Sequence, residues 1–181
     1  MKLLILDRDG VINQDSDAYI KSVAEWHPIP GSLEGMARLY QGGFRLAIAS
    51  NQSGLGRHLF TIDDLNAIHR KLVRELASLG CQIEAIFFCP HTPDAHCFCR
   101  KPLPGLLHEI ASRLQISLHG VPCIGDAWRD LESALAVGAS PILVRSGKGL
   151  RTQAEHADEL ARLGIPVYAD LAEVADYLLT A

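Results

Sequence analysis

The chain has 181 residues, 48% of them apolar, and a formal net charge of −4. That length suggests one domain, residues 1–181, with a sizeable core. The negative balance, without any basic run, argues against a broad nucleic-acid or anionic-membrane surface. The first apolar run, Leu3 to Leu6, is too short for a signal-peptide core or a membrane span, so a cytoplasmic protein is expected.

In chain order, the run Leu3-Leu4-Ile5-Leu6 predicts a strand buried on both faces, ending in the carboxylates Asp7 and Asp9. If the strand continued, the two acids would project to the same side. A helix follows over Ser32 to Tyr40, then a strand from Phe44 to Ser50. Thr61 and Asp64 form a variant capping box for the next helix. Its apolar stripe is Leu65, Ile68, Leu72, Leu76 and Leu79, and Gly80 is placed to end it. Further strands are expected at Ile83–Cys89, Val121–Gly125 and Pro141–Arg145. Helices are expected at Leu106–Leu114 and Asp130–Val137, with terminal helices near Leu150–Leu163 and Leu171–Leu179 around a short strand, Pro166-Val167-Tyr168. Strands alternating with helices imply an α/β fold, a doubly wound parallel sheet covered on both faces.

Polar clusters recur at the strand ends. Asp7 and Asp9 end the first, Ser50-Asn51-Gln52 the second and Gly125-Asp126 the fourth, while Arg100-Lys101 is expected to open the helix after the third. In such sheets the ligand crevice lies beyond the carboxyl ends of the strands. Paired carboxylates there are costly unless a cation or a proton sits between them. Asp7 and Asp126 suit Mg²⁺, with the Asp9 carbonyl as a third ligand. The Ser50 hydroxyl and the backbone N–H groups after it can cradle phosphate oxygens. Lys101 can neutralise a non-bridging oxygen, and Asp130, four residues beyond Asp126, can orient its neighbours.

Three of the five cysteines crowd into one loop with histidines: Cys89-Pro90-His91…His96-Cys97-Phe98-Cys99. Cys89, His91, Cys97 and Cys99 make a closed tetrahedral set for structural Zn²⁺, with His96 as a competing ligand. Such a metal would brace the loop and fix where Lys101 points. Cys81 and Cys123 read as small buried hydrophobes. Gly54-Leu55-Gly56 lacks the third glycine of a dinucleotide fingerprint, and Gly147-Lys148 lacks most of a P-loop, so no nucleotide cofactor is expected.

The four strand-end clusters, in this order and over most of the chain, resemble the motifs of the haloacid dehalogenase-like phosphatases. The resemblance implies that Asp7 is a nucleophile forming an aspartyl-phosphate and that Asp9 is the general acid and base. It makes Ser50 and Lys101 the stabilisers of the phosphoryl group, and Asp7, Asp126 and the Asp9 carbonyl the Mg²⁺ ligands. Asp9 in the second motif position fits a phosphatase better than a dehalogenase. The segments Asp7 to Asp15, Ser50 to Arg57 and Cys89 to Pro102 are similar to the zinc-containing branch, whose members act on heptose 1,7-bisphosphate or histidinol phosphate. That similarity carries substrate contacts over to Asp15, Ser16, Asp17, Ala18 and Tyr19, to Ser50, Asn51, Gln52 and Ser53, and to Arg100 and Lys101. Ser50 stands where threonine is common, and Ala127 where some members carry lysine.

No segment between the motifs is long enough for a cap domain, so an open crevice is expected, walled by the Asn13–His27 loop and the zinc loop. A bisphosphorylated sugar needs a cationic contact remote from the reacting phosphate, and Arg100, Arg57, Lys21 and Lys148 are the candidates, Arg100 foremost. The expected partner is a small sugar phosphate, with neither nucleic acid nor membrane. The resemblance implies a monomeric Mg²⁺-dependent phosphatase removing the 7-phosphate of a heptose bisphosphate for lipopolysaccharide core synthesis. The alternatives are a histidinol-phosphate or broader sugar-phosphate phosphatase and, outside enzymes, a phosphate-binding scaffold.

Overall fold

The computed structural model describes residues 2–180. Six parallel strands, β1 (Lys2–Leu6), β2 (Phe44–Asn51), β3 (Ala85–Cys89), β4 (Pro122–Gly125), β5 (Ser140–Val144) and β6 (Val167–Tyr168), form one sheet in the order β3-β2-β1-β4-β5-β6. The order reverses between β1 and β4, which opens the crevice where Asp7 and Asp126 emerge.

Period-two alternation divides the core. Leu4 and Leu6 of β1, with Leu46 and Ile48 of β2, face α1 (Ser32–Gln41), α3 (Ile62–Ser78) and α8 (Leu171–Thr180). Leu3 and Ile5, with Ala47 and Ala49, face α4 (Gly105–Leu114) and Ala134 of α5 (Trp128–Ala136). The sheet is therefore doubly covered, and its strands can be apolar on both faces. The connection from β1 to β2 holds one helix, α1, and no cap domain. Between β2 and α3 lies the short α2 (Ser53–Gly56).

The capping box on α3 is formed as its sequence predicts: the Asp64 N–H donates to Thr61 Oγ1 (3.2 Å) and the Thr61 N–H to Asp64 Oδ2 (2.8 Å). Gly80 follows its C-terminus at φ 70°, where a β-carbon would be strained. Three expectations need correction. The single helix expected over 150–163 is two, α6 (Gly149–Glu155) and α7 (Ala157–Leu163), broken at His156, whose ring stacks on Trp128 at 4.2 Å. Strand β3 starts at Ala85 rather than Ile83. Lys101 does not open a helix, because α4 begins at Gly105. No helix among the described residues is long and apolar enough to cross a membrane.

Candidate active site

Strand β1 stops at Leu6, and the chain turns at once: the Arg8 carbonyl accepts from the N–H groups of Ile12 (2.8 Å) and Asn13 (3.2 Å). Asp7 and Asp9 thus leave strand geometry but still line one cleft of about 180 Å³. Asp15, Ser16, Asp17, Tyr19, Ser50, Asn51, Gln52, Ser53, Arg100 and Asp126 share that lining, with Arg129 and Lys148. Ala18 is outside it, its N–H donating to Ser16 Oγ (3.1 Å) and so shaping the loop. Two proposed cations are also outside: Lys21 is tied to Glu25 (3.1 Å), and Arg57 is exposed after α2.

Lys101 lies beneath the cleft at 4% exposure. Its ammonium meets Asp130 at 2.7 Å and Asp7 at 3.1 Å and donates to the Ala49 carbonyl at 2.8 Å. Its backbone is clasped by Asn51, which accepts from the Lys101 N–H and donates to the Lys101 carbonyl, both at 3.0 Å. A loop residue is thereby fixed from β2 on one side and the cysteine loop on the other. Burial opposes its charge, but Asp130 and Asp7 outweigh that and hold its pKa above the usual lysine range.

One carboxylate oxygen from each of Asp7, Asp126 and Asp130 lies within 4.8 Å of the others. Burial, reinforced by Asp130 and Asp9 and partly offset by Lys101, raises Asp7 to about 6. Burial, together with Asp130 and Asp7, raises Asp126 to about 8. Asp130 is committed to Lys101 and to the Ala127 N–H (3.0 Å), so it supports the other two rather than adding a free ligand. The Asp9 carbonyl accepts no backbone hydrogen bond among the described residues and is free to coordinate. Glycines close the wall behind Asp126: a β-carbon on Gly10 (φ 84°) would fall 2.0 Å from its Oδ2, and one on Gly147 (φ 59°) at 2.2 Å. Hard oxygen donors short of positive charge are what Mg²⁺ fits.

Metal binding here must displace protons. Both acids have folded-state pKa values above the ordinary aspartate value of 3.8, so their stabilising protonation is complete at low pH and lost as pH rises through about 6 and about 8. Mg²⁺ is therefore expected to raise the melting temperature more at pH 8 than at pH 6. Its apparent affinity should tighten by up to ~10-fold per pH unit for each proton displaced. Titrations that show the same Mg²⁺ affinity across that interval would contradict this geometry.

Asp9 faces the opposite influences. Burial would raise its pKa, but Arg8 outweighs it, aided by the Asn13 and Gln52 amides, and the pKa falls below the usual aspartate value. Arg8, wholly buried, donates through Nη2 to both Asp9 oxygens (2.8 and 3.0 Å); Asn13 Nδ2 (2.8 Å) and Gln52 Nε2 (2.9 Å) add two more bonds. Gln52 also donates to Ser50 Oγ (2.8 Å), linking the second strand end to the first. Behind Arg8 stands His69 of α3, 3.4 Å from Nη1 and lowered to about 4 by burial and by Arg8, hence neutral.

The cysteine loop converges as its spacing predicts. Cys89 Sγ lies 3.2 Å from Cys99 Sγ and 3.6 Å from Cys97 Sγ, while His91 Nδ1 is 3.5 Å from Cys89 Sγ and 3.3 Å from Cys99 Sγ. Tetrahedral Zn²⁺ with bonds of about 2.3 Å separates neighbouring sulfurs by about 3.8 Å, so these four atoms already outline its shell. His96, at φ 48° behind a 3-10 turn, is not among them. Protein purified without chelators is expected to hold one equivalent of zinc, and Cys99→Ser to lose it; a metal-free native protein would refute the assignment.

Sequence reasoning passed over Arg8 as a side chain, His69, and Arg129 in the first turn of α5. Only Arg129 carried a usable signal, a cation placed three residues beyond a strand-end aspartate.

Fold and carboxylate–lysine site together define the haloacid dehalogenase class of phosphohydrolases. A family described as HAD-hydrolase-like matches residues 98–174, and one described as Polynucleotide kinase 3 phosphatase matches residues 2–130. A protein of Bordetella bronchiseptica called D-glycero-beta-D-manno-heptose-1,7-bisphosphate 7-phosphatase is 52% identical over 99% of this chain and 98% of its own length. One of the same name from Pseudomonas putida is 50% identical over 99% of this chain and 100% of its own. The crystal structure of the B. bronchiseptica D,D-heptose 1,7-bisphosphate phosphatase, complexed with magnesium and phosphate, superposes with a TM-score of 0.93 at 51% identity, covering 99% of each chain. The chain belongs to the D-glycero-beta-D-manno-heptose-1,7-bisphosphate 7-phosphatase family.

Proposed function

We propose that this protein, as one phosphatase domain, hydrolyses the 7-phosphate of D-glycero-β-D-manno-heptose 1,7-bisphosphate. The observation that carries the reading is that Asp7, held 3.1 Å from the buried Lys101, shares a cleft with Asp9, Ser50 and Asp126 in a chain of this family. Asp7 attacks phosphorus in line; the bond to the C7 oxygen breaks, and Asp9 protonates the departing alkoxide. Water then attacks the aspartyl-phosphate, losing its proton to Asp9, and free phosphate leaves. Hydrogen bonds from Arg8, Asn13 and Gln52 hold Asp9 ionised at rest, matched to this second step. An arriving phosphate dianion raises its proton affinity, which lets it lend a proton in the first.

Ser50 and the N–H groups after it receive the transferring oxygens, while Lys101 offsets charge from beneath Asp7. Asp7, Asp126 and the Asp9 carbonyl are the groups to hold Mg²⁺, which when bound supplies the positive charge that lets a carboxylate approach an anionic phosphate. The cysteine-rich loop suits the reducing cytoplasm, and the residues named for each step all come from one chain, which supports a cytoplasmic monomer. The product would feed the sugar branch of lipopolysaccharide core synthesis.

The test is kcat/KM with Mg²⁺ for both heptose 1,7-bisphosphate anomers, histidinol phosphate and fructose 1,6-bisphosphate. A preference of about 100-fold or more for the β-heptose substrate, near 3 kcal/mol of discrimination, is expected. Preference for histidinol phosphate would overturn the substrate and leave the chemistry standing.

A further inference from the structure

The basic groups around the cleft differ sharply in how they are committed. Lys101 is held by two carboxylates and a carbonyl. Arg8 is spent on Asp9. The Lys148 ammonium lies 3.1 Å from Asp15 and 3.7 Å from Asp17, and its backbone N–H donates to Asp126 Oδ2 (2.7 Å). Arg100 makes only a long bond from Nη1 to the His91 carbonyl, 3.4 Å.

Arg129 is the outlier. It lines the cleft from the first turn of α5 and makes neither ion pair nor side-chain hydrogen bond among the described residues. Its Nε is withdrawn from solvent without an acceptor. It also stands where its charge opposes those of both Arg100 and Lys148. A desolvated guanidinium donor facing two like charges is an unfavourable arrangement for the protein alone. It becomes favourable once a multiply charged anion enters among the three. A phosphate matches the planar fork of arginine, whose parallel N–H groups bind two oxygens at once.

Because Asp7, Ser50 and Lys101 already account for the reacting phosphate, this anion is a second one. We propose that Arg129 binds, together with Arg100, the phosphate of the substrate that is not hydrolysed, and so sets the preference for bisphosphates. The inference rests on the sugar-bisphosphate reading above and adds a residue to it. Arg129 is a specificity contact, remote from the atoms that react.

The experiment compares kcat/KM for heptose 1,7-bisphosphate and heptose 7-phosphate in the wild type, Arg129→Gln and Arg129→Lys, each with Mg²⁺. In Arg129→Gln the bisphosphate-to-monophosphate ratio should fall by ~10- to 100-fold, mainly through KM, the range expected for losing a charge-assisted contact. Arg129→Lys should recover part of it, because charge returns without the fork. A purely structural role would lower both substrates alike and leave the ratio unchanged, and that result overturns the proposal. So does an unaltered variant. Wild-type protein that ignores heptose bisphosphate would overturn the functional reading instead. The same ratio is then taken with fructose 1,6-bisphosphate against fructose 6-phosphate, where an unchanged value, or no turnover of either, sinks the Arg129 assignment too.

Discussion

Asp7→Asn is expected to fold as well as the parent and to lose kcat by about four orders of magnitude or more, the scale seen when a nucleophile is removed. The two halves of that result have separate causes. Asparagine keeps an oxygen that can accept from the Arg8 N–H, the bond Asp7 Oδ1 now makes at 2.8 Å. Lys101 keeps Asp130 at 2.7 Å and the Ala49 carbonyl at 2.8 Å. One of three clustered acids becomes neutral, which relieves the repulsion that helps raise Asp126 to about 8. Metal-free stability should therefore change by no more than about 1 kcal/mol. Activity has no such reserve, because an amide cannot form the acyl phosphate. Variant protein keeping even a hundredth of the parental rate would remove Asp7 as nucleophile.

Lys101→Met should damage both fold and chemistry. The substitution keeps most of the side-chain volume and removes the cation paired with both Asp7 and Asp130. Breaking a buried ion pair from one side costs about 3–5 kcal/mol, since the surviving charges stay buried and unpaired. The loss should be smaller at pH 5 than at pH 8. At the lower pH the acids can neutralise by taking protons, toward which Asp7 (about 6) and Asp126 (about 8) already lean. Lys101 itself, held above its usual pKa, stays charged across that interval and adds no pH dependence of its own. On activity, losing a preorganised charge at the transferring phosphoryl group should cost about 10²- to 10³-fold in kcat. Urea denaturation at the two pH values reads the first effect, and a penalty equal at both would mean that the acids do not depend on this lysine.

The contrast between these variants shows what sequence can and cannot disclose. β1 was legible because a strand buried on both faces leaves an unbroken apolar run, and α3 because its cap and stripe are local. The metal-type loop was legible for the same reason: its four candidate ligands, Cys89, His91, Cys97 and Cys99, lie within one short segment. The sequence discloses the type of Lys101 but not its place in a loop, because that position comes from Asn51, fifty residues away in sequence. Arg57 and Lys21 have the right charge, but neither lines the cleft, and Lys21 is paired with Glu25. Arg8 and His69 escaped notice because a buried arginine bonded to its neighbour Asp9, with a neutral histidine behind it, depends on α3 packing across the first loop. At the break, His156 leaves helical geometry (φ −124°, ψ 28°), and its ring stacks on Trp128, a contact distant in sequence.

Asp7 and its neighbours are expected to remove one particular phosphate from a heptose bisphosphate. Following the reaction with Mg²⁺ by ³¹P NMR tests this most directly, because the ester phosphate at C7 and the anomeric phosphate at C1 give separate signals. The C7 resonance is expected to disappear, inorganic phosphate to grow in step with it and the anomeric resonance to persist to the end. Loss of the anomeric signal instead, or two unchanged signals beside active enzyme, would contradict it.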